Sequence, residues 1–137
     1  MQSIDTDDTL YKVLSTSEDL KKALTGDIYV QGERPDGSEL EDVVINTITV
    51  SHALPQTGTS NVNIHVSDLK LKIKGKEQRK ANRERLRELT ALVIGTLKAA
   101  NIPGLTFWVA TETVIKEPEI SQHYTNLRID WNIHLTD

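Results

Sequence analysis

The chain has no cysteine among its 137 residues, which excludes disulfides, thiolate-bound zinc and a cysteine nucleophile and agrees with a reducing compartment. It also lacks any apolar run near the ~18 residues that a membrane span needs. Its opening residues, MQSIDTDDTL, have neither the basic nor the apolar region of a secretory leader, so assembly in the cytoplasm is expected. Aromatic side chains make up only 4% of the chain. None stands among its clustered cations, which argues against a stacking platform for single-stranded nucleic acid. Catalytic motifs are missing too. Gly75-Lys76 has neither the upstream glycine nor the following Ser/Thr of a phosphate loop, and His52, His65, His123 and His134 show no HxH or HExxH spacing. Asp130, Glu112 and His134 form an acid–base group only if strands gather them, as His65 and His134 would have to be gathered to hold a metal. The wet face of an antiparallel strand is the plainer setting for all of these residues. No enzymatic activity, cofactor or metal is therefore expected.

What is present is charge, unevenly divided. The net charge is −4, yet Lys70, Lys72, Lys74, Lys76, Arg79, Lys80, Arg83, Arg85 and Arg87 stand against only Glu77 and Glu84. Those 18 residues hold +7 and the other 119 hold −11. The first 42 residues carry eleven carboxylates against Lys12, Lys21, Lys22 and Arg34. A solvated helix face with local pairs such as Glu84–Arg87 is the bland explanation of the basic block. Few acids are available for such pairing, and like charges four residues apart oppose an isolated helix. An anionic counterpart from outside is expected: another copy of the chain, head to tail, or DNA.

With 37% hydrophobic and 26% charged residues, the chain reads as one soluble α+β domain over 1–137, large enough to bury a core. Thr6 or Asp7 is expected to cap a first helix through Leu10, Val13 and Leu14, and Ser17 a second, short one that Gly26 ends in a left-handed conformation. Ile28 to Val30 reads as a brief strand, and 33–42 as an exposed acidic loop with a Pro35-Asp36-Gly37 turn. Val43 to Val50 is β-branched on both faces, as in a central strand. Pro55 to Ser60 reads as a loop, and Asn61 to Val66 alternates as a half-buried strand. Leu69 to Lys74 alternates again, as a strand or extended arm whose lysines discourage edge pairing. The spacing predicts a long helix from about Glu77 to Ala100. Its stripe Leu86, Leu89, Val93, Leu97 begins only after two basic turns that overhang the core. Ala91, Leu92, Ile94 and Ala99 broaden the stripe, implying cover from more than one side. Two strands follow: Phe107 to Val114, with Trp108, Ala110 and Val114 on one face, and Leu127 to Leu135, joined through a loop at Lys116 to His123. The sum is an antiparallel sheet of four to six strands packed against one long helix, with a short helical segment in front.

Laid out in this order, residues 8–135 resemble the tail terminator, or tail-completion, proteins of tailed bacteriophages. The likeness rests on Leu10-Tyr11-Lys12-Val13-Leu14 followed by Leu20 to Leu24, the Gly26-Asp27-Ile28-Tyr29 turn into a strand, Val62-Asn63-Ile64-His65-Val66 ahead of the long helix, and the closing strands through Asn126 to His134. The Lys/Leu segment 69–74 looks like an addition. The resemblance implies a non-enzymatic virion protein of the tail or neck, assembled in the host cytoplasm without cofactor or membrane. It would form a homo-oligomeric ring, commonly a hexamer, that ends the tail tube and joins it to the head connector, with DNA passing through the lumen. The expected subunit interface sets Lys70, Lys72, Lys74, Lys76, Arg79, Lys80, Arg83 and Arg87 against Glu33, Asp36, Glu39, Glu41 and Asp42. The alternative is a nucleic-acid-binding accessory domain using 70–87.

Overall fold

The computed structural model describes residues 1–134; the strand position expected at Leu135 lies outside them. Two N-terminal helices, α1 (Ser3–Ser15) and α2 (Glu18–Ala23), precede β1 (Ile28–Val30), β2 (Val43–Val50) and β3 (Gln56–Ser67). A hairpin of β4 (Leu69–Ile73) and β5 (Lys76–Lys80) leads to α3 (Arg83–Ala99). The chain then forms β6 (Leu105–Glu117), a 3₁₀ turn (Pro118–Ile120) and β7 (Gln122–Ile133). Five strands make one sheet in the order β1-β2-β3-β7-β6, and the hairpin forms a separate two-stranded sheet. The four longer strands are antiparallel, and β1 adds to β2 in parallel. The α+β class expected from the pattern is the one observed, with α3 as its 17-residue helix.

Alternation along β7 sets the layering. Leu127, Ile129, Trp131 and Ile133 are buried, as are Val62 and Ile64 of β3 and Val43 and Ile45 of β2. All three helices meet this one face. Leu10 and Leu14 of α1, Leu20 of α2 and Leu86, Leu89, Val93 and Leu97 of α3 join the strand residues in one apolar cluster. Each such side chain contributes roughly 1.5–3 kcal/mol by leaving water. A thread of hydroxyls crosses the layer: Thr6 Oγ1 lies 2.6 Å from Thr47 Oγ1, which lies 2.9 Å from Ser60 Oγ. Ser60 Oγ in turn accepts the Trp131 indole N–H at 2.9 Å. These four side chains thus satisfy one another inside the layer.

Several local expectations are corrected. α1 starts earlier than Thr6, where Asp5 accepts the backbone N–H of Gln2. Asp7 caps a strand irregularity instead: its Oδ1 accepts the Thr47 N–H at 2.6 Å beside the bulge in β2. Ser17 does cap α2, through the Leu20 N–H. Gly26 is not left-handed; it is needed because a Cβ there would stand 1.8 Å from Asp42 Oδ1. Residues 56–60 belong to β3, and Lys116 to His123 is half strand, the ends of β6 and β7 meeting at one 3₁₀ turn. A bulge between Val109 and Thr111 flips the parity of β6. Phe107 and Val109 pack on the core, while Trp108 and Val114 lie on opposite faces of the sheet, since they oppose Asp130 and Thr125.

The helix expected from Glu77 begins only at Arg83, with Asn82 Oδ1 accepting the Arg85 N–H. Residues 76–80 are a strand because they have no apolar helical face and because Lys74-Gly75, both at positive φ, form the two-residue turn that right-twisted hairpins favour. The like-charge pairs Lys76–Lys80 and Arg79–Arg83 are thereby removed from any helix.

Candidate assembly surface

The hairpin separates its residues by chemistry. The register pairs Lys70 with Arg79 and Lys72 with Glu77, while Leu69, Leu71 and Ile73 oppose Lys80, Gln78 and Lys76. One face therefore holds Lys70, Lys72 and Arg79 with Glu77, and the opposite face holds Lys76 and Lys80. That second face also carries an apolar row, in which Leu69 and Leu71 are 41% and 40% exposed. A lone two-stranded hairpin is marginal in water, and Lys70 directly across from Arg79 weakens it further. Lys70 lies 3.3 Å from Glu77 across the exposed face. Among the described residues, Lys72, Lys74, Lys76, Arg79, Lys80, Arg83 and Arg87 have no ion-pair partner. Arg83 and Arg87 stand apart from the hairpin, exposed on the first turns of α3.

Arg85, from the same block, turns inward. Its Nε and Nη2 meet the two carboxylate oxygens of Glu41 at 2.6 and 2.8 Å, and its guanidinium also donates to Glu88 and to the Ala23 carbonyl. The two-pronged bond to Glu41 raises the Arg85 pKa further, so α3 is fastened to the acidic loop by a permanent charge.

That loop is anchored along the outer face of the sheet. Asp42 is fully buried. Its Oδ2 accepts Arg34 Nε at 2.8 Å and Ser38 Oγ at 2.7 Å, and its Oδ1 accepts the Asp27 N–H at 2.9 Å. Burial alone would raise its pKa; the bonds from Arg34, Ser38 and Asp27 outweigh burial and hold it below the ordinary carboxylate value. Arg34 reaches on to Gln122 Oε1, Gln122 Nε2 donates to the Ser38 carbonyl at 2.6 Å, and Ser67 donates to that of Glu39. Of the five acids proposed for the interface, Asp42 and Glu41 thus serve the fold internally. Glu33, Asp36 and Glu39 remain exposed.

His65 is buried beneath this loop, its ring 4.9 Å from that of Tyr124. Burial, reinforced by the positive charge of Arg34, lowers its pKa to about 4. Its Nδ1 stands 3.5 Å from Glu117 Oε2, too long for a hydrogen bond, and neither atom has another partner. Asp130, Glu112 and His134 are not gathered. Asp130 opposes Trp108, Glu112 faces the helix layer beyond the bulge, and His134 bonds Thr106 at 3.4 Å. His123 meets Asp68 at 2.6 Å. No three His, Asp or Glu side chains converge on a metal-sized site among the described residues, and no described helix is long and apolar enough to cross a membrane.

Sequence reasoning missed two open grooves, one on each flank of α3. One, of about 770 Å³, lies between α1 and the end of α3, lined by Val13, Ala99, Ala100 and Ile102 with Asp5 and Asp8 beside them. The other, of about 580 Å³, lies between α3 and strands β6 and β7, lined by Leu86, Ile94 and Val114 with Arg83, Arg87 and Glu112. The all-round apolar character of α3 was the available signal. Ala91 and Ala99 are exposed.

No protein-family model matches the chain, and no curated protein does. Among solved structures it is similar to a chain from the virion of the native gene transfer agent particle. The match has 10% identity, spans 92% of each chain and gives a TM-score of 0.58. At that identity the likeness is one of fold, and it takes in nearly the whole of both chains.

Proposed function

We propose that the chain is a structural, non-enzymatic virion protein of a phage-like particle, acting as one domain whose copies join head to tail in a ring. The observation that supports a virion role is the end-to-end likeness of fold to a chain of the gene transfer agent virion. The finer placement, at the head-proximal end of the tail tube against the head connector and in a hexamer around the passing DNA, follows the tail-terminator resemblance of the sequence. The exposed cations of residues 70–87, without partners on their own subunit, supply the positive side of the contact. Exposed acids of the next copy supply the negative side, and the loop acids Glu33, Asp36 and Glu39 are one source of them. Such a pairing of unlike surfaces closes a ring when its rotation closes.

Native mass measurement of the purified protein tests this reading. A closed oligomer is expected at physiological salt, reduced to smaller species when Arg79, Lys80 and Arg83 are all changed to Glu. An oligomer untouched by that triple reversal would remove the basic segment from the interface. Binding of unrelated duplex DNA by a chain that stays monomeric, with affinity falling steeply as salt rises, would favour the accessory-domain alternative instead.

A further inference from the structure

The hairpin and the α1–α3 groove lie at opposite ends of α3, and their chemistries match. The hairpin presents Leu69, Leu71 and Ile73 on one face, with the side chains of Lys76 and Lys80 bordering them. The groove has an apolar floor of Val13, Ala99 and Ile102, and its α1 wall carries the exposed acids Asp5 and Asp8 against one exposed cation, Lys12. We propose that the β4–β5 hairpin of one copy seats in the α1–α3 groove of the next. The apolar row then covers the bare flank of α3, and the bordering lysines meet Asp5 and Asp8. This rests on the self-assembly reading above and names the surface that receives the arm.

Three comparisons select this seat. The second groove is more polar, and Arg83 and Arg87 stand beside it with only Glu112 to offset them, so it repels a cationic arm. The acidic loop offers Glu33, Asp36 and Glu39 but only Leu40 as an exposed apolar partner, and cannot cover a three-residue row. A chain's own groove is out of reach: α3 separates it from the hairpin by 17 residues, ~25 Å at 1.5 Å per residue. Five-residue strands extend only ~17 Å. The contact is therefore between copies and between unlike surfaces, as ring closure requires.

The absence of cysteine permits a clean test. Leu71→Cys protein is mixed with Ala99→Cys protein under mild oxidation, and separately with Asp36→Cys protein. Disulfide-linked dimers are expected in the first mixture in clear excess over the second, and none when the proteins are mixed in denaturant. Leu71→Glu, at an exposed strand position, is expected to keep the far-ultraviolet circular dichroism unchanged while weakening assembly on the order of tenfold or more. Oligomers that form without the Leu71→Cys to Ala99→Cys link, or that prefer Asp36→Cys, overturn the groove and leave the self-assembly reading standing. A chain that is monomeric at every concentration overturns both.

Discussion

Replacing Asp42 by Asn probes how the acidic loop is held against the sheet, with almost no change in shape. The carboxylate is buried and accepts three bonds: one oxygen takes Arg34 and Ser38, the other the Asp27 N–H. An amide has only one accepting oxygen. Whichever way it turns, its NH₂ meets either the Asp27 N–H or the Arg34 Nε and Ser38 pair. Arg34, whose side chain is 14% exposed, is left without its counter-charge, keeping only neutral acceptors at Ser38, Leu40 and Gln122. Breaking one partner of a buried pair costs about 3–5 kcal/mol, a large share of the roughly 5–15 kcal/mol by which a domain is stable. Urea unfolding of Asp42→Asn is expected to show that loss with an unchanged slope. Paired with Arg34→Met in a double-mutant cycle, it should give a coupling of about 1.5–3 kcal/mol. A loss below about 1 kcal/mol, typical of an exposed pair, would refute the claim that this carboxylate fixes the loop.

Two further outcomes follow from the same corner. Gly26→Ala is expected to destabilise by about 1–3 kcal/mol, because its Cβ would meet Asp42 Oδ1 at 1.8 Å and the Glu41 carbonyl at 2.7 Å. A Gly26→Ala protein as stable as the parent in the same urea assay would show that the turn yields freely. His65 has its pKa lowered to about 4 in the fold, against an ordinary value near 6.5 when unfolded. The unfolded chain thus binds the proton first as pH falls, so stability drops between about pH 6.5 and 4 by at most roughly 3 kcal/mol. Asp42, held below its ordinary value, contributes its own loss only at still lower pH. Melts of His65→Phe against the parent should show a flatter slope in the upper window; parallel slopes would mean that His65 is free to protonate in the fold.

The order of elements was legible wherever one face of an element is buried. β7 alternates because its inner residues meet three helices, and the α3 stripe from Leu86 to Leu97 faces the same core. Residues 76–80 misled because a projecting arm has no core to impose a period. Its only marker is the Lys74-Gly75 turn between two alternating segments. The parity flip at Ala110 was equally hidden, since a bulge is set by sheet geometry rather than by any one side chain. The basic block was visible as a sum of charges, yet composition could not say that Arg85 points to Glu41 while its neighbours stay exposed. Nor could it say that Asp42 belongs to the fold, because its partners Arg34, Ser38 and Asp27 are joined to it by chain reversals that charge counting does not see.

The proposed contact has a consequence for when assembly occurs. Exposed ion pairs give at most about 1 kcal/mol each and are screened by salt, so the lysines steer and orient while the row from Leu69 to Ile73 supplies most of the attraction. That row is short, and ordering a marginal hairpin on its seat offsets part of the gain. One such contact therefore makes a weak dimer. In a closed ring every copy gives one arm and receives one, and the last contact forms within a single particle at high effective concentration. Closure then stabilises the assembly far more than any open intermediate, so the protein should pass from monomer to full ring over a narrow range of concentration. Elevated salt would move that range upward by removing the steering charges while leaving the apolar seat intact.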